Sequence, residues 1–389
     1  MKKKQIAATL MAGAMCMGML AGCGNKDNTG SSDSNVFTVG VVGPLTGDAA
    51  IYGTNVVNAA QIAVDEINAL GGDIQFQLIS ADDVNDPETS VNAYNQLMDK
   101  GMQMLVGTVT SKPALSVSPL SNEDRVFTLT PSASGDDVIE GNDNTYQVCF
   151  TDSNQGSRSA QYIDEHFDDA KIAIIYKNDD PYSQGIRDTF AAEAKTRGMD
   201  VVYEGTFDSS SQTDFNVQLT GAQSAGADLL FLPIYYTPAS VILTQANAMG
   251  YAPTFFGVDG MDGILTADGF DASLAEGVYL LTPFSADAQD EATQNFVAEY
   301  KERHNGETPN QFAADAYDAV YILYEAIKAS GVTPDMSNEE ICDGLIQAMG
   351  DLSVAGLTSA GSEMTSDHNG AVSKDPAAVI IENGTYVTP

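Results

Sequence analysis

The stretch Leu105-Val-Gly-Thr-Val-Thr-Ser-Lys-Pro113 decides the fold of this chain, and Thr128-Leu-Thr-Pro-Ser-Ala-Ser134 follows the same pattern. In each, a short apolar run typical of a buried parallel strand changes into small hydroxylated residues, and the first stretch predicts a helix that begins near Ser111. A helix N-terminus offers unpaired N–H groups and a positive dipole end, so it can bind a carboxylate without Arg or Lys. We therefore expect an anion-binding crevice here.

Strand-like runs and amphipathic helices alternate from residue 37 onward, and the order repeats after a polar, acidic loop at 135–144. Strands are predicted at 37–42, 74–80, 103–106, 126–130, 171–176, 201–204, 228–232 and 254–258. Helices are predicted at 53–70, 87–100, 113–122, 182–196, 214–225, 238–249, 287–304, 311–330 and 338–349. Repeated βαβ units form parallel sheets with helices on both faces. The expected fold class is α/β, with two similar doubly wound parallel-sheet lobes and a closing hairpin at Asn383-Gly384.

The N-terminus has the pattern of an export signal. Three lysines are followed by an uncharged run at 6–20 that is short for a membrane span, and then by Leu20-Ala-Gly-Cys23. That tetrapeptide resembles the lipobox of bacterial lipoproteins, which implies a signal peptide at 1–22 and lipidation of Cys23. A plain signal peptide with a chance Cys is the alternative. Lipidation would anchor the chain to the outer face of a bacterial cell membrane, in the periplasm if there is an outer membrane.

Residues 23–35 are predicted to form a flexible tether, since 24–35 carry no apolar side chain. Such a composition gives a reach of roughly 20 Å. Of the four cysteines, Cys16 would be removed with the signal and Cys23 lipidated, which leaves Cys149, in a predicted strand, and Cys342, on a predicted helix. We expect these two to be buried free thiols rather than a disulfide or a metal pair.

Charge and motifs argue against several classes of protein. The formal net charge of −37 repels nucleic acid. The only histidines are His166, His304 and His368, and the sequence contains no HExxH pair, G-x-S-x-G elbow or G-x-x-x-x-G-K-[ST] loop. The acidic cluster at 82–86 lacks the spacing of a calcium loop. We therefore expect neither an enzyme nor a protein with a cofactor or a metal.

Several runs resemble one family over residues 37–389. Val39-Gly-Val-Val-Gly-Pro-Leu-Thr-Gly47 with Tyr52-Gly53, and Ala63-Val-Asp-Glu-Ile-Asn-Ala-Leu-Gly-Gly72, are similar to the start of leucine/isoleucine/valine-binding proteins, which serve ABC importers. The resemblance implies the type I periplasmic-binding-protein fold, two lobes joined by a three-stranded hinge that close over a ligand. It implies the following division of the chain: lobe one at 36–150 and 285–357, and lobe two at 151–284 and 374–389.

The resemblance also implies where an amino acid would bind. Ser111 and Ser134 would offer hydroxyls and Ser132 a backbone amide to the ligand carboxylate, while Asp259 would hold the ammonium. One protein of the family has Glu at that position, and Asp is one carbon shorter. Asp152 is a weaker ammonium candidate. The side-chain pocket would be lined by Tyr52, Tyr182 and Tyr235, with Tyr236 as a substitute for the last.

Each of these residues also has an ordinary structural interpretation. Ser111 could cap its helix, the run 132–134 could form a turn, and each Tyr could pack in a loop. With the resemblance, we expect a monomeric binding protein that passes an aliphatic, foremost branched-chain, amino acid to ABC permease subunits. Two alternatives stay open: a ligand-sensing module for a membrane receptor, and an importer subunit for an amide, urea or aromatic acid.

Overall fold

The computed structural model describes residues 35–359, 362–367, 369–374 and 376–389. The signal predicted at 1–22, Cys16, the lipidation residue Cys23 and nearly all of the predicted tether lie outside the described residues. Within the described residues, no helix is both long and apolar enough to span a bilayer.

The first half of the described chain builds a five-stranded parallel sheet in the order β2-β1-β3-β4-β5. Its elements are β1 (Val36–Gly43), α1 (Ala50–Ala69), β2 (Gln75–Asp82), α2 (Pro87–Asp99), β3 (Met104–Val106), α3 (Ser111–Glu123), β4 (Phe127–Thr130) and β5 (Thr145–Gln147). The strand order reverses at β1, which pairs with β2 on one side and β3 on the other. Ligand crevices form at such reversal points, outside the carboxyl ends of the strands.

A second sheet of seven strands has the order β14-β13-β10-β9-β8-β6-β7. It is parallel from β7 to β10, and β13 and β14 add antiparallel strands at its edge. The elements from this part of the chain are α4 (Asp152–His166), β6 (Lys171–Lys177), α5 (Pro181–Arg197), β7 (Asp200–Phe207), α6 (Asn216–Ala225), β8 (Leu229–Leu232), α7 (Tyr236–Met249), β9 (Thr254–Gly257) and β10 (Tyr279–Thr282).

Three helices and two hairpins follow β10. They are α8 (Glu291–Arg303), α9 (Gln311–Ser330), α10 (Asn338–Met349), β11 (Val354–Ala355), β12 (Glu363–Met364), β13 (Ala377–Glu382) and β14 (Thr385–Val387). α9 packs along α1, and α10 along α9, so these helices return to the first sheet. The chain then goes back to the second sheet through β13. It thus passes between the two sheets near 148–151, 283–290 and 350–376.

Local sequence fixes where the helices start and stop. Asp86 and Asp180 each accept a backbone N–H at the start of α2 and α5, and a Pro follows both. Such a cap contributes about 1 kcal/mol. Gly198 and Gly250 end α5 and α7 in the left-handed conformation that glycine adopts without strain. The alternating strands and helices predicted from the sequence are therefore confirmed, as is the hairpin at Asn383-Gly384.

Several elements were missed by the sequence prediction. α4, the strand β10 and the short strands β11 and β12 were not expected. The strand expected around Cys149 is β5, which ends at Gln147, so Cys149 follows it instead of lying in it. The prediction of two free thiols is confirmed, because Cys149 and Cys342 are both buried and unbridged.

Two buried carboxylates on α9 hold the last passage between the sheets. Asp318 accepts hydrogen bonds from the backbone N–H groups of Leu357 and Thr358, at 2.8 and 2.9 Å. The Lys374 ammonium lies 2.5 Å from Asp315 Oδ1, and both side chains are at most 4% exposed. This segment is therefore fixed to α9 at both ends.

Candidate functional site

One buried cavity is surrounded by the N-termini of helices that belong to both sheets. It is lined by Tyr52, Val109, Thr110, Ser111, Ser132, Tyr182, Tyr235, Asp259, Gly260 and Phe312. The first turns of α1, α3, α5 and α9, the residue before α7 and the turn after β9 supply most of this wall. The free volume is about 10 Å³, which holds about one water molecule. Any larger ligand therefore requires the surrounding side chains or the two sheets to move apart.

The wall on the side of the first sheet offers backbone donors. α3 begins at Ser111, and its N-cap Thr110 makes no side-chain hydrogen bond to the helix. Thr110 Oγ1 is itself buried without a hydrogen-bond partner among the described residues. An uncapped helix start has free N–H groups and a positive dipole end. This part of the wall is therefore suited to an anionic group.

Ser111 and Ser132 are engaged in contacts with the protein itself. Ser111 Oγ accepts a hydrogen bond from the Gly135 N–H at 3.1 Å, and Ser132 Oγ donates to the Val109 carbonyl at 2.6 Å. The Ser132 N–H contacts Thr130 Oγ1 at a long 3.3 Å. A hydroxyl that accepts one hydrogen bond can still donate another, so Ser111 keeps a donor for a ligand oxygen.

The opposite wall carries a buried acid. Asp259 begins a short turn, Asp259–Met261, directly after β9 and is 2% exposed. Its Oδ1 accepts from the Tyr182 hydroxyl at 2.5 Å, and that hydroxyl accepts from the Gly260 N–H at 2.9 Å. Burial raises the pKa of Asp259 to about 7, against the lowering effect of the Tyr182 hydrogen bond. No lysine, arginine or histidine lines the described cavity, so a ligand cation would supply the missing positive charge.

Aromatic rings fill the space between the two polar walls. Tyr52 packs edge-on against Tyr235, Tyr236 and Phe312 at centroid distances of 5.4, 5.1 and 4.7 Å. Tyr182 stacks on Tyr235 at 4.9 Å. The Tyr52 hydroxyl donates to the Gly260 carbonyl and accepts from the Tyr236 N–H at 3.2 Å. These contacts join α1, on the first sheet, to α7 and the turn after β9, on the second.

Six of the seven residues predicted from the sequence to bind the ligand line this cavity: Tyr52, Ser111, Ser132, Tyr182, Tyr235 and Asp259. Ser134 does not line it. Its side chain is fully buried, and its hydroxyl faces the buried carboxyl of Asp152. The Ser134 carbonyl accepts from the Asp152 N–H at 2.8 Å. Burial raises the pKa of Asp152 well above its usual range.

Phe312 and Gln155 are contributors that the sequence did not reveal. Phe312 lies in the first turn of α9, where it faces the cavity. Its position next to the predicted start of this helix is the sequence feature that could have indicated a place in the site. Gln155 Oε1 accepts from the Asp259 N–H at 3.2 Å. Gln155 lies on α4, and because that helix was missed, this contact could not be expected.

Comparison with known proteins identifies the family. Residues 36–379 match the model of a family described as periplasmic binding protein. The chain is 31% identical over 304 residues to the Leu/Ile/Val-binding protein BraC3 of Rhizobium johnstonii, covering 77% of this chain and 81% of the relative. It is 26% identical to the leucine-, isoleucine-, valine-, threonine-, and alanine-binding protein of Pseudomonas aeruginosa, covering 77% of this chain and 80% of that one.

A solved structure shares the whole fold. The branched-chain amino acid transporter substrate binding protein LivJ of Streptococcus pneumoniae, solved in complex with isoleucine, superposes with a TM-score of 0.80 at 27% identity. The match covers 91% of this chain and all of that one. The predicted α/β class with two parallel-sheet lobes of the type I periplasmic-binding-protein fold is confirmed. This chain belongs to the periplasmic binding protein family, and it is a solute-binding protein rather than an enzyme.

Proposed function

We propose that this protein captures an aliphatic amino acid, foremost a branched-chain one, between two lobes and delivers it to an ABC importer. One observation carries the proposal: the uncapped start of α3 and the buried carboxyl of Asp259 face the same cavity from opposite sheets. The carboxylate of a zwitterion fits the helix start, and its ammonium group fits the carboxyl of Asp259. The relatives' own ligands, with isoleucine in a structure of the same fold, support an aliphatic side chain.

The lobes are taken as 36–150 with 285–357, and 151–284 with 374–389. In support, these ranges divide the described strands so that each sheet falls within a single lobe, apart from the small β11–β12 hairpin. When the lobes separate, each keeps half of the ligand's partners. When they close, water leaves and the charge-assisted hydrogen bonds strengthen. Ligand binding therefore favours the closed arrangement, which a permease can recognise.

Family membership implies a location outside the cytoplasm, and we further infer that Cys23 carries a lipid anchor. The sequence Leu20-Ala-Gly-Cys23 supports this, because the Cys stands directly after a small-residue cleavage pattern. Mass spectrometry of the mature protein from a bacterial membrane fraction tests it. A lipid-modified N-terminal Cys23 is expected. A mature chain that starts elsewhere, or an unmodified Cys23, would contradict it.

A calorimetric panel tests the function directly. Leucine, isoleucine, valine, alanine and threonine are titrated into the purified protein, with urea and benzoate as ligands of the alternative classes. The proposal expects the branched-chain amino acids to bind most tightly. A panel in which only urea or benzoate binds would overturn it.

A further inference from the structure

A second cavity between the lobes lies directly beside the first. It has a volume of about 60 Å³, which is room for several water molecules. Tyr182 and Tyr235, whose rings stack on each other, line both cavities and separate them. Lobe one contributes Asp48, Ala49 and Asn85 to the second cavity, and lobe two contributes the rest of its wall. A ligand held in the first cavity therefore has this space on the far side of the two rings.

Asp180 presents an unpaired carboxylate oxygen to the second cavity. It is the N-cap of α5, and its Oδ1 accepts from the Tyr182 N–H at 3.2 Å. The side chain is 4% exposed, and its Oδ2 has no partner among the described residues but keeps surface that is accessible from the cavity. Helix capping thus explains one oxygen and leaves the other free. A nearly buried acceptor without a partner favours a ligand that donates to it.

Lys177 adds a free donor to the same cavity. It is the last residue of β6, and its ammonium group forms no hydrogen bond or ion pair with a residue that the structure describes. Burial raises the pKa of Asp180, and the Lys177 ammonium acts in the opposite direction, so the two charges lie close enough to interact. Gln212 Nε2 is already used, because it donates to Asp48 Oδ2 at 3.2 Å. The cavity therefore offers both an acceptor and a cationic donor.

A neutral group that both donates and accepts fits this pair best. A cation would be repelled by Lys177, and an anion would be repelled by Asp180. A carboxamide has an NH₂ group for the carboxylate and a carbonyl oxygen for the ammonium. Both of these hydrogen bonds would be charge-assisted, which makes them stronger than hydrogen bonds between neutral groups.

We propose that the second cavity binds the carboxamide at the end of a ligand side chain, so that the ligands of this protein include glutamine beside the aliphatic amino acids. The amide NH₂ donates to Asp180 Oδ2, and the amide carbonyl accepts from Lys177. The α-carboxylate and α-ammonium groups stay in the first cavity, so this assignment rests on the proposed function. The side chain of leucine is shorter than that of glutamine and leaves the second cavity to water.

Calorimetry of the wild-type protein with L-leucine, L-glutamine, L-glutamate and L-norleucine tests the assignment. Glutamate has the shape of glutamine but ends in a carboxylate, and norleucine has a similar length but no polar end. We expect leucine and glutamine to bind. Glutamate should bind at least about tenfold more weakly than glutamine, because a site that pairs with a polar group rejects an analogue that leaves its partners unpaired.

Variants show whether the preference arises in this cavity. Lys177→Met keeps the length of the side chain and removes the ammonium group, so the affinity for glutamine relative to norleucine should fall by roughly tenfold or more. Lys171→Met, at the exposed first residue of the same strand, is the matched control and should leave that ratio unchanged. Asp180→Asn is the second variant. Because Asn also caps helices well, this variant should fold, and loss of the carboxylate charge should lower the same ratio.

Three results would contradict this role of the second cavity: leucine binding without glutamine binding, glutamate binding as tightly as glutamine, or the same ratio of glutamine to norleucine affinity in Lys177→Met and Lys171→Met. The proposed function fails separately. If glutamine binds through Lys177 while leucine does not bind, the second cavity stands and the aliphatic preference falls. A protein that binds none of the four amino acids overturns both.

Discussion

Asp259 is a buried carboxyl whose hydrogen-bond partner, the Tyr182 hydroxyl, is neutral. The Tyr182 hydroxyl donates to this carboxyl, and Gln155 Oε1 accepts from the Asp259 backbone N–H. Burial raises the pKa of Asp259 to about 7. A buried ionised carboxylate without a cation costs folding free energy. The residue is therefore suited to a charged ligand rather than to the stability of the chain.

Replacing Asp259 with Asn keeps the size of the side chain and removes its charge. Because hydrogen bonds to charged groups contribute about 1.5–3 kcal/mol, we expect leucine affinity to fall by about 10–100-fold in calorimetry. The thermal unfolding midpoint should stay level or rise, since an unfavourably buried acid is gone. Asp268→Asn, at an exposed position, is the matched control. An Asp259→Asn protein with wild-type affinity would remove the ammonium role from this residue.

The pH dependence of binding follows from the same residue. The ligand ammonium requires ionised Asp259, whose pKa is about 7 in the closed cavity, so binding below that pH releases a proton. Leucine affinity should therefore fall as the pH decreases from about 8 to about 5. The Tyr182 hydroxyl lowers the pKa of Asp259, so in Tyr182→Phe the midpoint should move to higher pH. Titrations across this range test both, and affinity independent of pH would speak against them.

At the scale of elements, two buried acids join α9 to the last segment that crosses between the sheets. Asp318 and Asp315 bind that segment through Thr358 and Lys374. Burial raises the pKa of Asp315 to about 6, although the nearby Lys374 ammonium acts in the opposite direction. The surrounding structure therefore holds the two charges together, and removal of either would leave the other buried without a counter-charge.

Lys374→Met should leave Asp315 buried without its cation. The expected loss is about 3–5 kcal/mol in the free energy of unfolding, as when one partner of a buried pair is removed. The double variant Lys374→Met/Asp315→Leu should recover most of it. The exposed pair Lys328–Glu325 is the control, and Lys328→Met should leave stability nearly unchanged. Denaturant unfolding measures all of these, and a negligible effect of Lys374→Met would contradict the role of the pair.

The helix α4 shows where prediction from the sequence stops. α9 and α10 were predicted with the bounds they have, because their apolar residues recur at helical spacing. The buried face of α4 contains Gln155, Gly156 and Ser159. Because these residues are polar or have no side chain, no period of apolar residues marks this helix in the sequence. A Cβ on Gly156 would lie 2.0 Å from Thr189 Oγ1, so α4 packs by close approach to α5 rather than by large side chains.

The residues of the candidate site could be predicted from the sequence where they lie at the starts of helices, but not where they come from other parts of the fold. Strand-to-helix turns are visible in sequence, so the residues at the starts of helices were found, among them Tyr52, Ser111 and Tyr182. Contacts from elements that lie far away in sequence or were not recognised could not be placed. For this reason the contact of Gln155 with Asp259, and the position of Ser134 outside the cavity lining, could not be predicted.

At the scale of the whole molecule, the lobes meet through contacts around the cavity. Thr237 Oγ1 donates to the Asp48 carbonyl at 2.7 Å, and Lys112 Nζ donates to the Asp179 carbonyl at 3.2 Å. Together with the Tyr52 contacts they describe a closed arrangement of two lobes. Because the cavity holds about one water, admission of an amino acid requires this arrangement to open.

Buried acids also set the pH dependence of stability. Burial raises the pKa of Asp83, Asp262 and Asp315 to about 6 and that of Asp259 to about 7. The folded form then binds protons more tightly than the unfolded chain, so stability falls as the pH rises through these values. The thermal midpoint should rise as the pH is lowered from about 8 to about 5. A midpoint that falls steadily over this range would be inconsistent with these shifts.

The central claim is that the two ends of one zwitterion are held from opposite lobes. Calorimetric titration of the wild-type protein with L-leucine, and with 3-methylbutylamine and 4-methylpentanoate, tests it most directly, because each analogue keeps the branched side chain and lacks one charged end. We expect leucine to bind and both analogues to lose at least about tenfold in affinity. Binding of either analogue as tightly as leucine would contradict the claim.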